Sequence, residues 1–371
     1  MSKKNTPFRF DYVGSFLRPD YLRKARADYE EGSITKEDLV EVENRAILDL
    51  VQKQKDAGYH VITDGEFRRA TWHLDFMWGF EGVEHKKTEI GVCFNAEQAL
   101  IDDTYLIGKI SVENHPFVQH YKFVKVLEDD KTVAKQTIPA PAQFFQQMIV
   151  PSNIEKTRVF YPTNQELIDD IALAYRKVIN ELYNAGCRNI QFDDCTWGVC
   201  VAQGSVKRYG KDADLNTIME QLLLVNNLAI EGKPEDLSIN THVCRGNYHS
   251  TFFSSGAYDS VAEFLFTREN VDAYYLEYDD ERSGNFEPLK FVLGDKKVVL
   301  GLITSKSPVL EDKELVIRKI HEAANFIPLD RIYLSPQCGF ASCEIGNKLT
   351  EGEQWKKLAL VKEIAEEVWG K

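Results

Sequence analysis

The sequence predicts an α/β fold, a (β/α)8 TIM barrel occupying residues 1–371 as one domain, with a β-hairpin region inserted at about 80–132. Three observations predict it. Eight short apolar or β-branched runs follow one another along the chain, most joined by long amphipathic stretches, the alternation that builds a parallel sheet. No GxGxxG follows the first run, which removes the signature of an open dinucleotide-binding sheet. The residues with the most chemistry fall at the carboxyl ends of the runs, the rim where barrel enzymes carry their sites.

In order, "RFDYVGS" (9–15) reads as the first strand, followed by a polar helix-like stretch over 19–57. "HVITDGE" (60–66) and "VAKQTIPAP" (133–141) come next, then a helix over 164–186 with Asn164 as its cap and Gly186 as its stop. "RNIQFDD" (188–194) precedes a helix over roughly 213–231. "LSINTHVC" (237–244), "DAYYLEY" (272–278), "KVVLGLIT" (297–304) and "RIYLSPQCG" (331–339) complete the set. Helices at about 258–268, 312–325 and 352–368 separate or follow them. Between 80 and 132 the rhythm breaks: "TEIGVCFN", "TYLIGKISVE" and "YKFVKVLEDDKTV" look like hairpin strands laid over the barrel. No repeat of fixed period and no low-complexity linker divides the chain.

Composition bounds the function. Residues that are 43% hydrophobic supply a large core, and a net charge of −13 offers no basic footprint for nucleic acid or an anionic membrane surface. The start, "MSKKNTPFRFDYVGS", lacks the apolar h-region of a signal peptide, and no stretch approaches bilayer-spanning length. Seven scattered cysteines do not read as a disulfide framework, so a reducing cytoplasm is expected.

At the predicted rim stand Val13–Gly14–Ser15, Asp64 and Glu66, Asp193 and Asp194, His242 and Cys244, Glu277, Lys306 and Cys338. His242 and Cys244 are two apart on one strand and therefore share a face. With Glu277 and Cys338 they offer one imidazole, two thiols and a carboxylate, a set suited to tetrahedral Zn2+. The bland reading stands beside it: strand ends are polar in any protein, and Cys338 alone reads as a buried thiol. His249 and Cys343 lie close enough in sequence to substitute in another geometry. Cys195 and Cys200 flank Trp197 at a spacing poor for zinc, and "FRRATWH" (67–73) suits either a structural role or recognition of an anionic or aromatic ligand.

The constellation resembles the catalytic barrel of the cobalamin-independent methionine synthases, from "YVGSF" near the start to "SPQCGF" near the end. The family's zinc ligands, a His-x-Cys pair, a Glu on the next strand and a Cys in "P-x-C-G", fall on His242, Cys244, Glu277 and Cys338. The resemblance implies that homocysteine is held by Val13, Gly14 and Ser15, by Glu66 in "TDGEF" and by Asp193 in "IQFDD". It implies a zinc-dependent methyltransferase that acts on the homocysteine thiol to form methionine, with methyltetrahydrofolate as the family's donor. Small-molecule substrates follow, and neither nucleic acid nor membrane.

Several positions depart from the family. Its proton-donating His in "H-S-P" falls on Lys306 in "TSKSPV". "D-E-P" becomes Asp193-Asp194-Cys195, the folate-contacting Glu falls on Val199, and the folate-stacking Trp has no counterpart near "PAPAQFFQQ" (139–147). The thiol half of the site is retained and the folate half is altered. Aromatic residues of "ATWHLDFMWGF" (70–80) or of the insertion are the candidates for a substitute platform. A different methyl donor or thiol acceptor, a zinc hydrolase, and a non-catalytic amino-acid-binding descendant are the competing readings.

Overall fold

The computed structural model describes residues 6–87, 91–202, 208–210 and 213–370. The strands are β1 (Val61–Ile62), β2 (Glu81–Lys86), β3 (Val92–Cys93), β4 (Gln98–Ala99), β5 (Asp103–Ser111) and β6 (Val133–Ala134). Then come β7 (Gln136–Pro139), β8 (Asn189–Asp194), β9 (Ser238–Val243), β10 (Ala273–Glu277), β11 (Lys297–Ile303) and β12 (Ile332–Pro336). β7 to β12 pair in chain order as one parallel sheet, and all residues of β8, β10 and β12 are buried. Such two-sided burial is what near-continuous apolar runs encode in a parallel sheet.

Both edges of the sheet continue. β12 bridges in parallel to Phe10, with Asp11 N–H donating to the Leu334 carbonyl at 3.0 Å. β6 leads into β7 across Lys135 and pairs in parallel with β1. The first segment meets β1 without a ladder: Tyr12 Oη donates to the Val61 carbonyl, Thr63 Oγ1 to the Gly14 carbonyl at 2.9 Å, and Phe16 N–H to the Gly65 carbonyl at 3.1 Å. The eight segments thereby follow one another in the order the sequence predicts. Two are shorter as strands than their apolar runs, because the backbone turns at Gly14 (φ 147°) and again at Gly65 and Glu66 (φ 65° and 62°).

Gly14 cannot be another residue without strain. Its φ disfavours L side chains, and a Cβ there would stand 2.7 Å from Thr137 Cγ2. Gly14→Ala is expected to cost about 1–3 kcal/mol. A thermal melt with an unchanged midpoint would contradict this.

The helices obey their capping chemistry. Thr35 and Asp38 form a capping box for Lys36–Asp56, and Thr350 and Glu353 form another for Glu351–Trp369. The helix expected over 19–57 is divided, Asp20–Glu30 then Lys36–Asp56, with Gly32 at φ 73° between them. Asn164 is the first helical residue rather than the cap; Thr163 accepts from Glu166 N–H at 3.3 Å.

The inserted region needs one correction. β2 pairs antiparallel with β5, and β3 with β4, as hairpins. The run expected as a strand over 121–133 instead begins inside a helix, Pro116–Lys125. Pro116 occupies its first turn, and Phe117, Val118, Tyr121 and Val124 bury one face at helical spacing. Residues 88–90, the start of "TEIGVCFN", lie outside the described residues. No helix among the described residues is long and apolar enough to cross a membrane.

Candidate metal centre and active site

Register on β9 and β10 brings three of the donors together. In the ladders Asp193 faces His242, which faces Tyr275, and Asp194 faces Val243, which faces Leu276. One step on, Cys244 is flanked by Cys195 beyond β8 and by Glu277 at the end of β10. Cys338 follows β12 by two residues. The ligand atoms of His242, Cys244, Glu277 and Cys338 all lie within 4.8 Å of one another, and all four residues are buried. The two sulfur atoms are 3.7 Å apart.

These residues fit a zinc ion. Among the described residues, neither ring nitrogen of His242 and not Oε2 of Glu277 has a hydrogen-bond partner. An unsatisfied buried polar atom costs about 1–3 kcal/mol, so several orphans aimed at one point call for an occupant. Oε1 of Glu277 accepts from Arg245 N–H at 2.8 Å, and Cys244 Sγ from Gly246 N–H at 3.3 Å, contacts that orient the donors. Contact with Cys195 and burial hold the Cys244 thiol well above its ordinary range, and contact with Cys244 and burial do the same for Cys338. Without a cation these thiols keep their protons; a bound Zn2+ is what would turn them into thiolates.

Beside the cluster, Glu66 and Asp193 enter the same cavity, about 530 Å3 in volume, together with Val13 and Ser15. Glu66 Oε1 accepts from Thr137 Oγ1 at 3.0 Å and pairs with Arg69 at 3.2 Å, whereas Oε2 is buried and unpartnered among the described residues. Glu66 holds a left-handed φ, pinned by its N–H on Asp64 Oδ1 at 2.8 Å and by Arg18 on its carbonyl at 2.7 Å. Local strain of this kind collects at functional sites. Burial pushes the Glu66 carboxyl up to about 7 against the pull of Arg69, and Asp193 also to about 7 against Gln191. Gln191 donates to Asp193 Oδ1 at 2.8 Å.

The far wall is aromatic. Trp72 and His73 stack with ring centroids 4.5 Å apart, and both line the cavity. Burial, then Arg208, lowers the His73 imidazole to about 3, so it is neutral at physiological pH. Phe94, from the turn of the inserted hairpin, stands edge-on to Phe253 at 5.8 Å. The helix Pro141–Ile149 adds Gln143, Gln146 and Gln147.

Of the residues expected from sequence, Val13, Ser15, Glu66, Asp193, His242, Cys244 and Cys338 line this one cavity. Gly14 shapes the turn beside them, and Glu277 completes the donor cluster from beneath the lining. Lys306 is not among the lining residues. Its Nζ is buried without a partner among the described residues. Burial pulls its pKa down, but Glu277, Cys338, Asp279 and Cys244 outweigh that and raise it. His249 stands apart from the donors, its Nδ1 2.8 Å from Glu97. Sequence reasoning missed Arg208 and Phe253, which carry no motif, reached Phe94 only as one of the insertion's aromatics, and set Cys195 aside on spacing. Counting strand register past "IQFDD" would have found the last.

Comparison with known proteins agrees. The catalytic-domain profile of the cobalamin-independent synthases matches residues 10–366. YxjG of Bacillus subtilis, a protein without assigned function, is 42% identical over all of this chain and 97% of its own length. A methionine synthase of Sulfolobus acidocaldarius is 22% identical over 91% of this chain and 87% of its own. A candidate vitamin-B12-independent methionine synthase from Listeria monocytogenes superposes with TM-score 0.77 at 37% identity, covering 98% of this chain and 99% of that one. A B12-independent methionine synthase from Shewanella sp. W3-18-1, solved with selenomethionine, superposes at 0.72 with 21% identity over 97% of both chains. With the profile match spanning nearly the whole barrel and its donor cluster, the chain belongs to the cobalamin-independent methionine synthase family.

Proposed function

We propose that this chain, as a single catalytic domain, is a zinc-dependent methyltransferase that converts homocysteine to methionine with 5-methyltetrahydrofolate as methyl donor. The observation that carries the reading is one cavity holding a four-donor soft cluster beside two buried carboxylates. Glu66 and Asp193 take the substrate ammonium, satisfying the orphaned Oε2. The Ser15 hydroxyl and the backbone at 13–15 take its carboxylate. Those contacts aim the sulfur at the cluster formed by His242, Cys244, Glu277 and Cys338. Zinc, when bound there, supplies the Lewis acidity that keeps the acceptor sulfur deprotonated at neutral pH.

The methyl carbon then passes in line from donor nitrogen to sulfur: the S–C bond forms as the N–C bond breaks, and the nitrogen takes up a proton. Positioning supplies much of the acceleration. The stacked Trp72–His73 pair offers the flat face a pterin needs. The buried, anionic surroundings of Lys306 favour a fixed cation over a proton donor.

Methionine formation from homocysteine with methyltetrahydrofolate or its triglutamate tests the reading. Turnover only with a sulfonium or corrinoid donor would replace the donor; no turnover with any donor would defeat the reading. Calorimetry tests the platform: Trp72→Ala is expected to cost about 0.5–1.5 kcal/mol of folate affinity, up to roughly tenfold. Unchanged affinity would place the ring elsewhere.

A further inference from the structure

Cys195 is the residue that the reading above does not use, and its position is not that of an ordinary buried thiol. β8, β9 and β10 are adjacent parallel strands: His242 and Cys244, and Tyr275 and Glu277, are pairs two apart at the ends of β9 and β10, and Cys195 directly follows β8 on the turn into the helix Thr196–Val201. The register puts Cys195 opposite Cys244 on the side away from Glu277, on strands about 4.8 Å apart. Cys195 lines the same cavity as His242, Cys244 and Cys338. It stands outside the four residues whose ligand atoms converge within 4.8 Å.

The opposite neighbour, Glu277, is divided in its loyalties. One carboxylate oxygen is occupied by Arg245 N–H, and the other, in a residue with no exposure, has no partner among the described residues. His242, 1% exposed, leaves both ring nitrogens unpartnered among the described residues. The four converging donors thus have a fifth soft donor, Cys195, in the same cavity, where tetrahedral zinc takes four. A borderline-soft ion accepts thiolate sulfur in place of a carboxylate oxygen.

Resting on the zinc-centre reading, we propose that Cys195 is a reserve metal ligand, able to hold the ion with His242, Cys244 and Cys338 when the Glu277 carboxylate leaves it. The exchange is a ligand substitution: the thiol gives up its proton as the Zn–S bond forms, and the departing carboxylate is free to take that proton. A metal that can trade a carboxylate for a thiolate keeps four ligands while an incoming substrate sulfur competes for a position. The protein thus retains its ion through the exchange.

The test compares wild type, C195S, E277Q and the double variant E277Q/C195S. Zinc affinity is measured by chelator competition, and Co2+ is used as a spectroscopic probe of thiolate number. C195S is expected to bind zinc nearly as wild type, and E277Q within roughly 10–100-fold of it. The double variant should lose far more than the product of the two single effects. Co2+-loaded E277Q should show stronger thiolate-to-metal charge-transfer absorption than wild type, and the double variant should lose the gain. Equal affinities of E277Q and E277Q/C195S, or no gain in absorption, would overturn Cys195 while leaving the metal centre intact. Cys195→Ala in the same background guards against a folding defect specific to serine. Wild type that binds neither ion would instead defeat the metal centre, and the reserve ligand with it.

Discussion

Replacing Cys338 by serine is expected to strip the protein of its metal. Cys338 supplies one of the two sulfur donors that converge with His242 and Glu277 among the described residues, and its Sγ stands 3.7 Å from that of Cys244. Substituting even the outer partners of metal ligands costs about 10–100-fold in affinity. Loss of a direct thiolate should exceed the upper end of that range. The fold should survive, because Cys338 follows the sheet rather than forming it, and serine is close in size. Elemental analysis after exchange into metal-free buffer should find about one zinc per chain in wild type and almost none in the variant. Undiminished zinc in Cys338→Ser would remove this residue from the site. Methionine formation should fall in parallel with metal content.

The second large effect separates substrate binding from metal binding. Glu66→Gln should weaken binding of the amino acid by about 2–5 kcal/mol, the range for truncating one partner of a buried charge pair, and leave zinc content unchanged. That is roughly 30-fold to several-thousand-fold in affinity. The side chain is nearly isosteric and keeps its contact with Thr137. Zinc lost with affinity untouched would mean the roles are reversed.

The same carboxylates set a pH dependence whose sign differs between free and bound protein. Burial raises both Glu66 and Asp193 to about 7. Raised groups of this kind stabilise the empty fold most below the ordinary carboxylate range, and the contribution is lost as pH rises through about 7. An ammonium ligand needs them ionised. Its affinity should therefore be greatest above about 7 and fall as pH drops through that value. Methionine is the clean probe, since it carries the ammonium and has no thiol to titrate. A flat affinity between pH 6 and 8 would show that these carboxylates do not titrate in the site.

The barrel and most of the candidate site were legible along the chain for physical reasons. Parallel strands are buried on both sides, so β8 to β12 appear as apolar runs that local reading finds. Active sites sit where such strands end, so His242, Cys244, Glu277 and Cys338 could be gathered at one rim before any distance was known. The helix Pro116–Lys125 misled because aromatic and β-branched residues suit strands by propensity, while its burial follows a helical face set by what it packs against.

By itself the sequence determined the order of strands and helices, the residue types at the rim and the soft character of the donor set, since these depend on local pattern and side-chain chemistry. Only the tertiary structure decided which groups share a cavity. Phe94 reaches Phe253 across more than 150 residues, Glu97 meets His249 at 2.8 Å, and Glu66 pairs with Thr137 from another strand. It also decided the environment of each charge: the burial that moves Glu66 and Asp193 to about 7, and the negative ring that keeps Lys306 protonated. The place of Cys195 beside Cys244 depends on ladder register. Such effects arise from proximity between distant segments and from exclusion of water, neither of which a local pattern encodes.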